Sequence, residues 1–202
     1  MAEILEFLFG SKVKSRLLRF FILNPDQKHT LSEIAKKNMV KVSEAKRELD
    51  NFSKMKFIVE RKNNGGRYYV FNQNFPYYLE LKRLIVKSNI YPSSQSFSKI
   101  KNIGDIKLVL VSGIFLNYPK SKADLLLVAN NVSRAKLKNF MGNLEAEIGK
   151  EISYALMTSE EFQYRMNMLD RFVLDFLEGP HDEIINKIPG LKRTIAGLKI
   201  GK

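Results

Sequence analysis

Asp124 stands two residues after Lys122, at the head of an apolar run in the stretch SKADLLLVAN, residues 121 to 130. Two carboxylates at such alternate positions of a strand share a face and can hold magnesium. Joining nucleotides in this way takes two ions about 4 Å apart, with several anionic oxygens to offset their charge. A lysine at the first position reverses that logic. It repels a dication, and it can hold a phosphate only as a point charge. Asp124 is therefore expected to have a structural role, pairing with Lys122 or capping a neighbouring turn.

Little else in the chain offers chemistry. It has no cysteine, which excludes disulfides, thiolate metal sites and cysteine nucleophiles and fits a cytoplasmic protein. His29 and His181 are the only histidines and fall in different halves, so neither a metal site nor a histidine triad can be assembled around them. His29, in a turn, is expected to be solvated. Gly65-Gly66 reads as a hairpin turn, lacking the helix that follows a phosphate-binding loop. No cofactor and no metal are expected. The N-terminal MAEILEFLFGSK is apolar only briefly, interrupted by Glu3 and Glu6, and is not read as a leader. No apolar run approaches 18 residues, so no membrane partner is expected.

The net charge is +13, and its distribution matters more than its size. Residues 1–90 carry +9, residues 91–186 carry −1, and residues 187–202 carry +5. Charge confined to one half and a tail suggests a module for a polyanion beside a neutral one.

In the basic half, residues 11–23 place Val13, Leu17, Phe20, Phe21 and Leu23 on one helical face, with Lys12, Lys14, Arg16 and Arg19 mostly elsewhere. Thr30 and Glu33 form a capping-box signature for a short helix over 31–37. A third helix follows, with Val42, Ala45, Leu49 and Phe52 inward and Ser43, Glu44, Lys46, Arg47 and Asp50 outward. Phe57 to Arg61 and Arg67 to Phe71 alternate about Asn63-Asn64-Gly65-Gly66 as a hairpin. Three helices and a hairpin in this order read as a winged helix-turn-helix, whose third helix enters a major groove. The candidate DNA-binding residues are Lys41, Ser43, Glu44, Lys46 and Arg47 on that helix, with Lys62, Asn64 and Arg67 at the wing. A helix over 75–91, with Leu79, Leu81, Leu84, Ile85 and Val86 on its apolar side, leads to a Ser-rich linker.

Beyond it, buried strands are expected over 106–116 and 123–129, a helix over 133–149, and a strand over 150–157. Two helices follow, the first opened by a Thr158–Glu161 capping box and the second spanning 170–178, stopped by Gly179-Pro180. This order, and Ser121 to Val128, Glu145 to Glu151, Thr158 to Phe162 and Asp170 to Pro180, resemble the minimal nucleotidyltransferase domain. The stretch from Phe9-Gly10-Ser11-Lys12 to Phe75-Pro76 resembles the winged helix fused to such domains in transcriptional regulators.

The resemblance implies a site, and implies that it is degenerate. Active members have a Gly-Ser pair after the first strand; here Gly113 is followed by Ile114. The first two metal-binding aspartate positions are Lys122 and Asp124, and the third is Ser153. The expected fold is α+β, an N-terminal winged helix-turn-helix followed by a small α/β nucleotidyltransferase-like domain with a mixed sheet. The expected divisions are residues 1–91, a linker over 92–102, the second domain over 103–186, and a basic tail over 187–202. The expected function is transcription regulation through double-stranded DNA by a cytoplasmic, non-catalytic homodimer, with a small-molecule or nucleotide ligand for the second domain. An active nucleotidyltransferase and a toxin–antitoxin-type interaction protein are the alternatives.

Overall fold

A computed structural model describes residues 2–63, 66–87, 97–191 and 193. The protein is α+β, with eight α-helices and two sheets among the described residues. Two compact units are present: Met1–Ser96 with Met141–Glu151, and Phe97–Phe140 with Ile152–Lys202. No helix among the described residues is long and apolar enough to cross a membrane.

The first unit opens with a helix the sequence did not suggest, α1 (Ala2–Phe9), whose Leu5 is buried. Glu3 and Glu6 interrupt its short apolar run and hide the periodicity. α2 (Lys12–Leu23) starts at Ser11, whose hydroxyl accepts from the Lys14 N–H at 3.2 Å. It buries Leu17, Phe20 and Phe21 as expected. It also buries Arg19, which was expected on the outer face. The cause lies in the last turn of the helix Arg134–Ile148, where backbone carbonyls are available to groups beyond the helix end. The Arg19 guanidinium donates to the Glu147 carbonyl, and Asn24 Nδ2 donates to Gly149 O at 2.7 Å. A cation at a helix C-terminus also complements the helix dipole.

α3 (Leu31–Lys37) carries the expected capping box. The Thr30 hydroxyl accepts from the Glu33 N–H at 3.3 Å, and Glu33 Oε2 accepts from the Thr30 N–H at 2.8 Å. α4 (Val42–Lys54) buries Ala45, Leu49 and Phe52 completely. Val42, expected inward, is 52% exposed. It is the first helical residue, and its Cα–Cβ bond tilts back past the helix start, ahead of the core. The hairpin pairs β1 (Ile58–Asn63) with β2 (Gly66–Phe71) in the register Ile58↔Phe71 to Asn63↔Gly66, slightly longer than expected. Asn64 and Gly65 lie outside the described residues.

Aromatic edges hold the helices on the hairpin. The ring of Phe57 lies 4.9 Å from Phe52, 5.1 Å from Phe71 and 5.3 Å from Phe75. His29, expected to be solvated, is buried. Its backbone bridges Tyr69 in antiparallel fashion, and its ring lies 4.8 Å from Phe20. α5 (Tyr78–Lys87) starts later than expected, after Pro76, and residues 88–91 lie outside the described residues. Only Tyr78, Leu81 and Ile85 face the core. Leu79, Leu84 and Val86 project from the other sides, with Leu79 60% exposed.

The second unit is a four-stranded mixed sheet in the order β5-β4-β3-β6. Its strands are β3 (Asp105–Val111), β4 (Leu125–Asn130), β5 (Tyr154–Met157) and β6 (Asp182–Asn186). The β4–β5 pair is parallel; the β3–β4 and β3–β6 pairs are antiparallel. β3 ends at Val111 rather than residue 116, because Gly113–Phe115 turns into a 3-10 helix. β5 is shorter than the expected 150–157 stretch. β6 was not foreseen; its run DEIIN is short and starts with two acids, a composition that blunts a sheet edge.

The other helices are α6 (Arg134–Ile148), which starts in the second unit and ends in the first, and α7 (Ser159–Asn167) and α8 (Arg171–Glu178) of the second. Leu108, Leu110, Leu126 and Val128 meet Phe162, Val173, Phe176 and Leu177 in one core. Thr158 caps α7 at 3.1 Å, but the expected return bond is absent. Glu161 turns instead to Arg165, at 2.8 Å. Asp170 caps α8 by accepting from the Val173 N–H at 3.1 Å.

Burial, and secondarily the charge of Lys37, holds the His29 pKa below its ordinary value of 6.5. A proton then binds the unfolded chain more readily than the folded one. The associated stability is complete above the ordinary value and declines as pH falls toward the folded-state pKa. Urea titrations between pH 7 and pH 5 should show this decline in wild type, and His29→Gln should flatten it. Thr30→Ala should cost about 1 kcal/mol at neutral pH.

Candidate functional site

The expected surface residues fall into two groups. Lys41, Ser43, Lys46 and Arg47 are exposed on α4, opposite the face that carries Ala45, Leu49 and Phe52. Glu44, offered with them, is half-buried, and its Oε2 accepts from the Lys41 N–H at 3.2 Å. Its carboxylate thus caps the helix it sits on, close to the positive end of the dipole. Glu48, on the inner side, is buried. The outward face therefore keeps its cations near its start, and Asp50 is the exposed acid further along.

Lys62 and Arg67 are cross-strand partners in the hairpin, one pair before the turn. Lys62 is exposed, whereas Arg67 Nη1 contacts Glu60 Oε1 at 2.9 Å. Such an exposed pair contributes little to stability and can reorganise around an incoming anion.

In the second unit, three of the four residues expected at a degenerate site meet: Gly113, Asp124 and Ser153. Asp124 is buried. Its Oδ1 accepts from the Ile114 N–H at 2.8 Å. Its Oδ2 accepts from the Ser153 N–H at 2.9 Å and from the Ser153 hydroxyl at 2.7 Å. The Asp124 N–H donates in turn to Ser153 O at 2.8 Å. A buried carboxylate needs such donors, because burying an unpaired charge is costly.

Gly113 makes the arrangement possible. Its φ is +51°, and a Cβ there would lie 2.0 Å from Asp124 Oδ1. Of the two structural roles expected for Asp124, the geometry selects the capping of the 113–115 turn. The expected Lys122 pairing is replaced: Lys122 Nζ contacts Asp175 Oδ2 on α8 at 2.8 Å. Residue 122 lies ahead of β4, outside the alternation of the strand, and its side chain reaches α8, while residue 124 is turned toward the start of β5. Asp175 was missed because its partner lies 53 positions away and no local pattern links them.

Tyr118, Lys122, Asp175, Phe176 and Pro180 line a shallow cleft of about 420 Å³ in this unit. No group of three or more histidine or acidic side chains that could hold a metal ion occurs among the described residues. His181 Nδ1 lies 2.9 Å from Gly179 O, within its own turn. No family model, curated protein or solved structure matches the chain.

Asp124→Ala should lower the unfolding free energy by about 2–3 kcal/mol, because buried donors lose a charged acceptor. Gly113→Ala should destabilise through its positive φ and its collision with the same carboxylate. Chemical denaturation monitored by circular dichroism measures both, and a loss below 0.5 kcal/mol for either (on the order of a surface substitution) would show that the Asp124 hydrogen bonds do not stabilise the fold.

Proposed function

We propose that this protein is a DNA-binding transcription regulator. In this reading the first unit is a winged helix-turn-helix with α4 as its recognition helix and the β1–β2 hairpin as its wing. The observation that carries the reading is the division of α4 into two faces. One is buried and, Glu48 apart, apolar; the other presents Lys41, Ser43, Lys46 and Arg47 to solvent. Lysine and serine suit phosphate oxygens, and arginine suits the paired acceptors of a guanine edge. Lys46 and Arg47 make no ion pair among the described residues, so no ion pair must break for DNA to bind.

The second unit is read as nucleotidyltransferase-like and non-catalytic. Support comes from the single carboxylate at the expected metal position, whose oxygens already accept three protein hydrogen bonds. Its remaining roles are ligand sensing or oligomerisation. A cytoplasmic homodimer fits regulators whose operators hold two half-sites.

Fluorescence anisotropy with labelled duplexes selected from a random pool tests the first unit. Lys46→Ala with Arg47→Ala should weaken binding about tenfold or more and blunt sequence preference. Affinity equal to wild type would remove α4 from the interface. Incubation with labelled nucleoside triphosphates and magnesium tests the second unit. Label transfer that disappears in Asp124→Ala would overturn the non-catalytic assignment.

A further inference from the structure

The near-neutral charge of the second half conceals a division. Residues 97–140 hold eight lysines and arginines against two aspartates, whereas residues 141–186 hold three against ten acids. Five of these cations lie on two neighbouring segments of the second unit. The segment 97–103, which includes the 3-10 turn Lys99–Asn102, runs antiparallel beside the first turns of α6. Two contacts fix that course. The ring of Phe97 lies 6.3 Å from that of Phe140, and the Ser133 N–H donates to Ile103 O at 2.9 Å.

Phe97, Ile100, Ile103, Leu137 and Phe140 are buried. The residues between them, Lys99, Lys101, Arg134, Lys136 and Lys138, are all exposed. None of these five makes an ion pair among the described residues, although Lys107, Lys122 and Arg165 of the same unit do. No acid occurs in residues 97–104 or 131–140. Arg134 and Lys138 stand one turn apart on one side of α6, an arrangement of like charges that costs helix stability.

We infer that these five cations form a second contact surface for the phosphate backbone of DNA, separate from α4. This rests on the DNA-binding reading and adds to it a sequence-independent contribution from the second unit. The surface chemistry favours this partner over others. A protein interface has an apolar, aromatic-rich centre, and here the large apolar side chains of both segments are inside. An anionic membrane would likewise be met by outward aromatic or aliphatic residues among the cations. Hydrated cations without an apolar centre match a phosphate backbone, whose binding is driven by counterion release.

The test uses the full chain and a duplex bound by wild type, with affinity measured across a series of salt concentrations. Removing one cation that neutralises a phosphate lowers the slope of log K against log salt by about 0.9. Arg134→Gln, Lys136→Gln and Lys138→Gln together should lower it by about two or more. Affinity at physiological salt should drop at least tenfold, equally for preferred and scrambled sequences. Lys99→Gln with Lys101→Gln should act in the same direction and serves as the second variant if the triple change impairs folding, judged by circular dichroism. An unchanged slope in both, alongside weakened binding by the α4 double variant, overturns the second surface and leaves the regulator intact. If wild type binds no duplex at any salt, both fall. Binding of phosphatidylserine vesicles that depends on these lysines, with an unchanged DNA slope, overturns it as well.

Discussion

The second unit depends on satisfying one buried charge. Asp124 lies inside, so each carboxylate oxygen needs donors within reach, and the chain supplies them from two places distant in sequence. One is the turn after β3, through Ile114; the other is the start of β5, through Ser153. The bonds to Ser153 lie at the head of the parallel β4–β5 register, where Leu125 faces Tyr154. The bond to Ile114 holds a turn that only a residue without a side chain can make at position 113. The carboxylate is thus occupied in holding three segments together.

The first unit solves a different problem. A short helix must bury one side firmly and still offer the other. α4 does so because Ala45, Leu49 and Phe52 recur at three- and four-residue spacing and because the aromatic cluster around Phe57 fixes what they pack against. The acids of this helix are largely withdrawn from its offered face: Glu44 is drawn to the helix start and Glu48 is buried. What remains outside near its N-terminal end is cationic.

Much of this was legible in the residues. The capping residues Thr30 and Thr158 marked helix starts well, because their hydrogen bonds are local and depend on type and spacing alone. The interior of α4 was legible for the same reason. Failures cluster where the deciding partner is remote. Arg19 looks solvated in its own helix and is buried because another helix ends against it. His29 looks like a turn residue and is enclosed because Tyr69 bridges it. Lys122 was matched with a neighbour, although a helix more than fifty positions later supplies its partner. Leu79, Leu84 and Val86 are apolar yet stay exposed, which composition cannot reveal.

The outermost strand carries a consequence for synthesis. β6 joins the sheet only through β3, with Val111 beside Asp182. That pairing closes a long loop, and the entropy of closure must be met before the pairing can form. Until the chain has passed α8, the apolar strand β3 has an open hydrogen-bonding rim. Roughly seventy residues must therefore be synthesised after β3 before the strand that covers this rim exists. The two acids that open β6 then face the solvent at that edge of the sheet.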